Sequence, residues 1–387
     1  MGNKRNKTAD IRGTFGAAFA LAILMTLPAS ADPTSGYKNG FFLSAEDGSS
    51  TLQFNGRGQV LFAYESLGGI GEGQEDKQQF SIPRVRLKMS GHLWSKDLEY
   101  TFQTDFGKGG ATLKDFHVDF KLMDDWVHLR AGQWKRPFSR QQINSSGKLE
   151  FVDRALTDKA FGAGRDIGMA IHSRYRKGGF TYTAGIFNGT GITAKTPWET
   201  DEDLHPDAET VKVSNVPYQF HPVAALRLEY SHGGIKGYSE VDLEGGGFRF
   251  ALGGSALYDL DLDDSGDGSM VADLDYAVKA AGFSSTGGYY MAMAENADGQ
   301  LEGTLRGFHA QAGYVIADQY QPVVRFTMLD PEGDDNNTQK ITAGMNLYFK
   351  GHNLKWQTDV GIAMYEAPEG EEVNNDVIVR SQLQLAF

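Results

Sequence analysis

The chain has 387 residues and a formal net charge of −13, and its 48 glycines, 24 phenylalanines and 16 tyrosines favour strands and tight turns over helices. It has no cysteine, which excludes disulfides, zinc thiolate sites and cysteine nucleophiles, and its acidity argues against a nucleic-acid partner. No segment reaches the roughly 18 uninterrupted apolar residues of a membrane helix, so any membrane span must be made of strands.

The N-terminus carries Lys4, Arg5, Lys7 and Arg12, then an apolar stretch from Phe15 to Leu27, then Ala29-Ser30-Ala31. This is the order of a secretory signal peptide, with cleavage expected between Ala31 and Asp32. About 13 apolar residues fall short of the roughly 20 that a membrane anchor needs. Losing residues 1–31 removes four basic groups and Asp10, which moves the charge from −13 to about −16. Residues 32–50 then form a short N-terminal segment ahead of one domain, 51–387.

Within that domain, alternating or apolar runs fall at 51–65, 79–93, 98–107, 112–122, 127–135, 167–177, 180–188, 222–232, 247–260, 270–280, 283–294, 306–317, 321–329, 340–350, 353–365 and 376–387. Each is near the 9 to 11 residues of a tilted transmembrane strand. An even count brings the last strand beside the first and leaves no edge. Connections after even-numbered runs are short, such as Gly178-Gly179 and Gly351-His352, and those after odd-numbered runs are long. That asymmetry predicts an all-β fold: a transmembrane antiparallel β-barrel of about 16 strands in a Gram-negative outer membrane. Two connections run against it, since 108–111 is short and 233–246 is long. A soluble β-sandwich also has alternating strands, but its loops need not segregate by length.

Charge follows strand parity. In IPRVRLKMSGHL, Val85, Leu87 and Met89 share one face and Arg84, Arg86 and Lys88 the other, a basic ladder with a step of about 6 to 7 Å. Arg57, Arg130, Arg174 and Arg176 take the polar parity of their own runs, as do Arg227, Arg249, Arg325 and Arg380. Lys114 and Arg306 do not, although both lie near the ends of runs, where headgroups tolerate charge. Glu99, Asp105, Asp115, Asp119, Asp273 and Asp359 also point inward, so the arginines are either paired with carboxylates or free to bind anions. The last run, VIVRSQLQLAF, places Val377, Val379, Leu383, Leu385 and Phe387 toward lipid and Arg380 toward water.

Residues 136–166 break the alternation. The segment holds Arg136, Arg140, Lys148, Arg154 and Arg165, and it is too rich in Phe138, Leu149, Phe151, Val152, Leu156 and Phe161 for a solvated loop. Folding into the lumen as a constriction loop would bury it; a cap or a subunit-contact loop is the alternative.

GQWKRPFSRQQ (Gly132–Gln142), KLEFVDRAL (Lys148–Leu156) and FGAGRDIGMAIH (Phe161–His172) resemble the phosphate-selective porin O and P family of Gram-negative bacteria. SIPRVRLKMSG, HAQAGYVI, QPVVRFTMLD and the terminal Phe extend the resemblance over nearly the whole mature chain. It implies a trimeric porin with sixteen strands and an arginine-lined channel for small anions such as phosphate. The terminal Phe387, preceded by alternating apolar residues, also resembles the C-terminal signal of bacterial outer-membrane proteins that the barrel assembly machinery reads. The expected pore-lining or anion-binding set is Arg57, Arg84, Arg86, Lys88, Arg130, Arg136, Arg140, Lys148, Arg154, Arg165, Arg174 and Arg176.

A general porin of low selectivity and a non-conducting structural or adhesin barrel are the alternatives. No Ser/His pair announces an outer-membrane enzyme, and no cofactor or metal site is expected. DLDLDDSGDGSM echoes a calcium loop without its twelfth-position Glu. Acidic runs at 72–76, 199–209, 259–267, 330–335 and 366–376 are either solvated or bridged to lipopolysaccharide by divalent cations.

Overall fold

The computed structural model describes residues 33–387 apart from 67–75, 163, 190–221, 261–268, 296–300, 332–336 and 367–374. The expected signal peptide, the acidic run at 199–209 and most of the other acidic runs lie outside the described residues.

A short hairpin, β1 (Thr34–Tyr37) and β2 (Phe41–Ser44), precedes sixteen long strands. These are β3 (Thr51–Ser66), β4 (Lys77–His92), β5 (Leu98–Asp105), β6 (Thr112–Met123), β7 (Val127–Lys135), β8 (Arg165–His172), β9 (Gly179–Phe187) and β10 (Val223–His232). They continue with β11 (Arg249–Asp259), β12 (Ser269–Ala280), β13 (Phe283–Glu295), β14 (Leu301–Tyr314), β15 (Tyr320–Pro331), β16 (Thr338–Lys350), β17 (Leu354–Tyr365) and β18 (Asp376–Ala386). Each pairs antiparallel with the next, and β18 returns to β3 with Ala386 opposite Arg57 and Val377 opposite Ser66. The barrel is closed, so no edge of the cylinder is left unpaired.

The alternation in sequence becomes an inverted burial pattern. On β10, Arg227, Glu229 and Ser231 are buried while Leu226, Leu228 and Tyr230 between them are exposed. On β17, Lys355, Gln357 and Asp359 are buried and Trp356, Val360 and Ile362 exposed. Charge inside and apolar surface outside is the reverse of a soluble domain and fits lipid around a polar interior.

Two parity exceptions have different causes. Gln103 faces Asp115 and Thr104 faces Leu113, so Lys114 is the extra residue of a bulge. The bulge turns Lys114 toward the lumen, where its charge feels Arg165, Arg86, Asp105 and Asp115, and Gln133 Nε2 donates to the carbonyls of Leu113 (3.2 Å) and Lys114 (2.9 Å). Arg306 stays on the outer face, opposite Asp330 near the long-connection end of the barrel.

The 106–111 connection stays short, with one 3-10 turn at Gly107–Gly109. The long 233–248 connection starts from the short-connection end and runs up into the lumen, where Ile235, Val241, Glu240 and Asp242 are buried. The expected constriction loop enters from the other end. It carries two short helices, α1 (Arg140–Ile143) and α2 (Leu156–Phe161). Its Phe138, Leu149, Phe151, Val152 and Phe161 are all buried, each contributing about 1.5 to 3 kcal/mol to holding the insert inside. The Phe161 ring stacks on Tyr290 of β13 at 5.4 Å.

At the seam, Gly56 of β3 exchanges backbone hydrogen bonds with Phe387 (3.0 and 3.1 Å). The Phe387 ring lies over Gly56, with Phe41 at 5.7 Å and Phe54 at 6.1 Å. The hairpin pairs with β3 just beyond Phe387, Phe41 opposite Phe54 and Leu43 opposite Leu52, and so continues the outer apolar face past the end of β18.

Candidate functional site

The two inserts fill one side of the lumen and leave the other open. Against β10–β18 they form a buried polar core. Arg140 of α1 donates from Nε to Asp275 Oδ1 (2.9 Å), lies 3.0 Å from Glu229, and donates from Nη1 to the Gly237 carbonyl of the opposite insert (3.0 Å). Although burial acts to lower it, the Arg140 guanidinium is held above its ordinary value by Asp275 and Glu229. Arg227 binds the same Asp275 (2.7 Å), Arg249 binds Asp242 (2.7 Å) and Arg380 binds Asp359 (2.8 Å). Arg325 donates to the Asp153 carbonyl (3.0 Å) and sits over the Phe151 ring. In this half the arginines are consumed by carboxylates and loop carbonyls.

The open half follows β3–β8. A cavity of about 1010 Å³ runs from Asn353 and Phe387 at the short-connection end up to Lys135 and Arg165. Nine cations line it, Arg57, Arg86, Lys88, Arg130, Lys135, Lys148, Arg165, Lys236 and Lys279, against two side-chain carboxylates, Asp115 and Glu244. A smaller cavity of about 300 Å³ adjoins it beside Glu99, His128, Arg130, His172, Arg174 and Arg227.

Partners divide the cations. Arg86 pairs with Asp105 (2.7 Å), Arg130 with Asp119 (2.7 Å from Nε) and Arg165 with Asp115 (2.8 Å). Lys135 Nζ donates to the carbonyls of Gln142 (2.6 Å), Ile143 (3.1 Å) and Asn144 (2.7 Å), which closes the C-terminal end of α1. Lys236 pairs with Glu244, and Lys279 Nζ donates to the Lys236 (3.1 Å) and Ser239 carbonyls. Arg57 has no carboxylate within 4 Å among the described residues; it donates to Ser145 Oγ (3.0 Å) and Ser146 Oγ (2.8 Å) of the long insert. The ammonium groups of Lys88 and Lys148 make no hydrogen bond or ion pair with any described residue, and both look into the cavity. Burial and the charge of Lys236 pull the Lys148 ammonium below its ordinary value.

Six of the twelve expected residues therefore share one cavity: Arg57, Arg86, Lys88, Arg130, Lys148 and Arg165. The other six do not line it. Arg84 bonds Gln59 (3.1 Å) and lies 4.0 Å from Asp153. Arg136 is buried 3.9 Å from Asp166, Arg140 belongs to the filled half, and Arg154 donates to the Gln141 (2.9 Å) and Asn144 (2.8 Å) carbonyls within its own loop. The run expected to extend to residue 177 ends as a strand at His172: Ser173 N–H still donates to the Tyr182 carbonyl, but Tyr182 N–H donates to Ser173 Oγ and Arg174 N–H turns to the Asp125 carbonyl. Arg174 and Arg176 thus leave the wall: Arg174 pairs with Glu99 and Asp125, and Arg176 lies over the Trp126 ring at 3.9 Å. Sequence reasoning passed over Lys135, Lys236 and Lys279. Of these only Lys279 carried a signal, the inward parity it shares with Asp273 and Asp275.

A model of the phosphate-selective porin O and P family matches residues 54–387. An uncharacterized protein of Aquifex aeolicus (strain VF5) is 24% identical over 348 residues, which cover 81% of each chain. Among solved structures, the anion-selective porin from Comamonas acidovorans superposes with a TM-score of 0.60 at 12% identity, covering 87% of this chain and all of its own. The outer membrane channel DcaP of Acinetobacter baumannii gives 0.60 at 10% identity, covering 90% and 99%. At these identities the structures speak for the fold alone.

Proposed function

The chain belongs to the phosphate-selective porin O and P family and is thus an outer-membrane channel protein, and from that premise we propose that it passes small anions, phosphate or related ones, by passive diffusion. The observation that carries this reading is the excess of cations over side-chain carboxylates around the cavity that follows β3–β8. Charges of one sign in a narrow, low-dielectric passage raise the local concentration of counter-ions. Conduction also needs weak sites in series, because an ion that binds tightly does not leave.

Lys88, Lys148 and Arg57 meet both requirements. Their charge is not cancelled by a carboxylate within ion-pair distance, and each presents hydrogen-bond donors to an oxyanion. Arg86, Arg130 and Arg165 form the surrounding wall. Their carboxylate partners leave each pair near neutral while outer N–H groups still face the cavity. The arginine ladder expected from the sequence becomes, in this reading, a ladder of paired arginines around free lysines.

The remaining features follow from the same reading. Residues 1–31 act as a cleaved export signal, and the segment expected at 136–166, which ends where β8 begins at Arg165, is the constriction loop. Phe387 is the residue read by the assembly machinery, three copies associate in the membrane, and lipopolysaccharide surrounds the outer loops. The resemblance to the family supports these assignments, as does the closed barrel with Phe387 at its seam.

Reversal potential in planar bilayers under a potassium chloride gradient tests the proposal. An anion-selective potential, with chloride current blocked by added phosphate, is expected. A cation-selective potential would overturn it, and so would a barrel that does not conduct. A potential near zero would assign the protein to general porins.

A further inference from the structure

The two lumen inserts, which enter from opposite ends of the barrel, meet at a pair of buried carboxylates. Glu240 Oε2 of the short-end insert accepts from the backbone N–H of Glu150 in the long-end insert (2.8 Å) and from Gln311 Nε2 of β14 (3.0 Å). The same Gln311 nitrogen donates to Glu150 Oε2 (2.9 Å). Glu150 Oε1 accepts from Ser284 Oγ of β13 (2.5 Å) and Gln321 Nε2 of β15 (2.7 Å). A backbone hydrogen bond from Glu240 N to the Lys148 carbonyl (3.2 Å) completes the junction. Glu150 and Glu240 are 1% and 2% exposed, so the junction is closed to bulk water.

We propose that Glu240 is a positioning residue for the conduit: with Gln311 and Glu150 it locks the two inserts together, and the lock loosens when both carboxyls are charged. This rests on the channel reading above. Both inserts border the conduit, through Lys148 on one and Lys236, Ser239 and Glu244 on the other, so a change in how they join changes its width.

The charges around the pair show why the second ionisation is costly. Among the described residues neither carboxylate has an ion pair within 4 Å. The cations whose fields reach them are Lys279 of β12, Arg325 of β15 and Lys355 of β17. Each is committed to loop carbonyls: Lys279 to those of Lys236 and Ser239, Arg325 to Asp153, Lys355 to Leu149. Tyr348 of β16 spends its hydroxyl on Gln321, and β13 and β14 contribute only the neutral Ser284 and Gln311. Asp158 of the long insert adds a further acid within range of Glu240. Two like charges sharing one amide resist joint ionisation, and burial followed by the charge of Glu240 pushes the Glu150 carboxyl up to about 7. A carboxyl raised on folding contributes stability that is complete below its unfolded value and is lost as pH rises through the folded one. The lock is therefore tight at pH 5 and loosens between pH 6 and 8.

Single-channel recording of the full chain from pH 5 to 9 tests this, together with hydrogen exchange of the 136–164 backbone. The expected result is a conductance that rises across pH 6 to 8 in the parent protein and stays flat at the acid value in Glu150→Gln. Glu240→Gln should be flat as well. A parent pH profile retained in both variants would overturn the proposal. Hydrogen exchange at 136–164 should speed up between pH 6 and 8 by more than the intrinsic rate, and unchanged protection overturns the lock whether or not current flows. A parent protein that never conducts but shows the protection change would refute the channel reading and keep the lock.

Discussion

Arg57 on the barrel wall donates a 2.8 Å hydrogen bond to Ser146 at the tip of the long insert, and Arg86 beside it reaches the same hydroxyl at 3.2 Å. Two guanidinium groups converge on a neutral oxygen; Arg86 also holds Asp105, whereas Arg57 meets no carboxylate within 4 Å among the described residues. The adjoining Gly147 makes the approach possible, since a Cβ there would fall inside contact distance of Arg57 Nη1. Gly147→Ala should push the Arg57 guanidinium off the serines and change conductance while leaving the barrel intact. Single-channel recording beside heat-dependent gel mobility checks this; lost mobility shift with lost current would mean that the barrel itself had failed.

Lys88 and Lys148 should set selectivity out of proportion to their number. Lys88→Glu is expected to move the reversal potential toward cations more than Arg84→Glu, because Arg84 lies outside the conduit and already shares Asp153. Equal shifts would return the weight to the whole basic strand.

Arg140→Ala should act on folding. The change leaves Asp275 and Glu229 buried without this partner and removes the Gly237 contact between the inserts. Breaking a buried pair by removing one member costs about 3 to 5 kcal/mol. A matching fall in thermal or denaturant midpoint in detergent is the measurement, and a loss below about 1 kcal/mol contradicts it.

Acid should loosen the middle of the long insert. Burial acts to raise the Asp153 carboxyl, but Lys159, Arg380 and Arg84 together bring it down to about 2. A depressed carboxyl contributes stability that is present above its unfolded value and is lost as pH falls through the folded one, here between about 4 and 2. Proteolytic cutting within 148–160 by an acid-active protease should increase over that range and should no longer depend on pH in Asp153→Asn.

Gly56→Val tests the seam. Its side chain would occupy the place of the Phe387 ring, and overpacking of this kind costs about 1 to 3 kcal/mol. Slower appearance of the heat-modifiable form during refolding is expected, and Phe387→Ala should relieve part of the effect. Wild-type kinetics in Gly56→Val would separate the ring from closure.

The barrel strands were legible because lipid outside and water inside impose a strict period of two that survives in sequence. The bulge at Lys114 was not, since one extra residue shifts parity without a marker in composition. Nor was the fate of the arginines. Arg140 and Asp275 are 135 positions apart, and only the folded inserts bring them together. The length of 233–248 looked like an exception to the topology because its destination, the lumen, is decided by contacts with Lys148, Glu150 and Arg140. Lys88 was readable as inward-facing, but its freedom from a partner depends on which carboxylates its neighbours had already taken.

Because the inserts occupy one side of the cylinder, six of the nine cations that line the conduit stand on β3–β8, away from the packed arc. Replacements along β3–β8 can retune which solutes cross while the packed arc goes on holding the shape. Charge in the passage and stability of the barrel are thereby open to change one at a time.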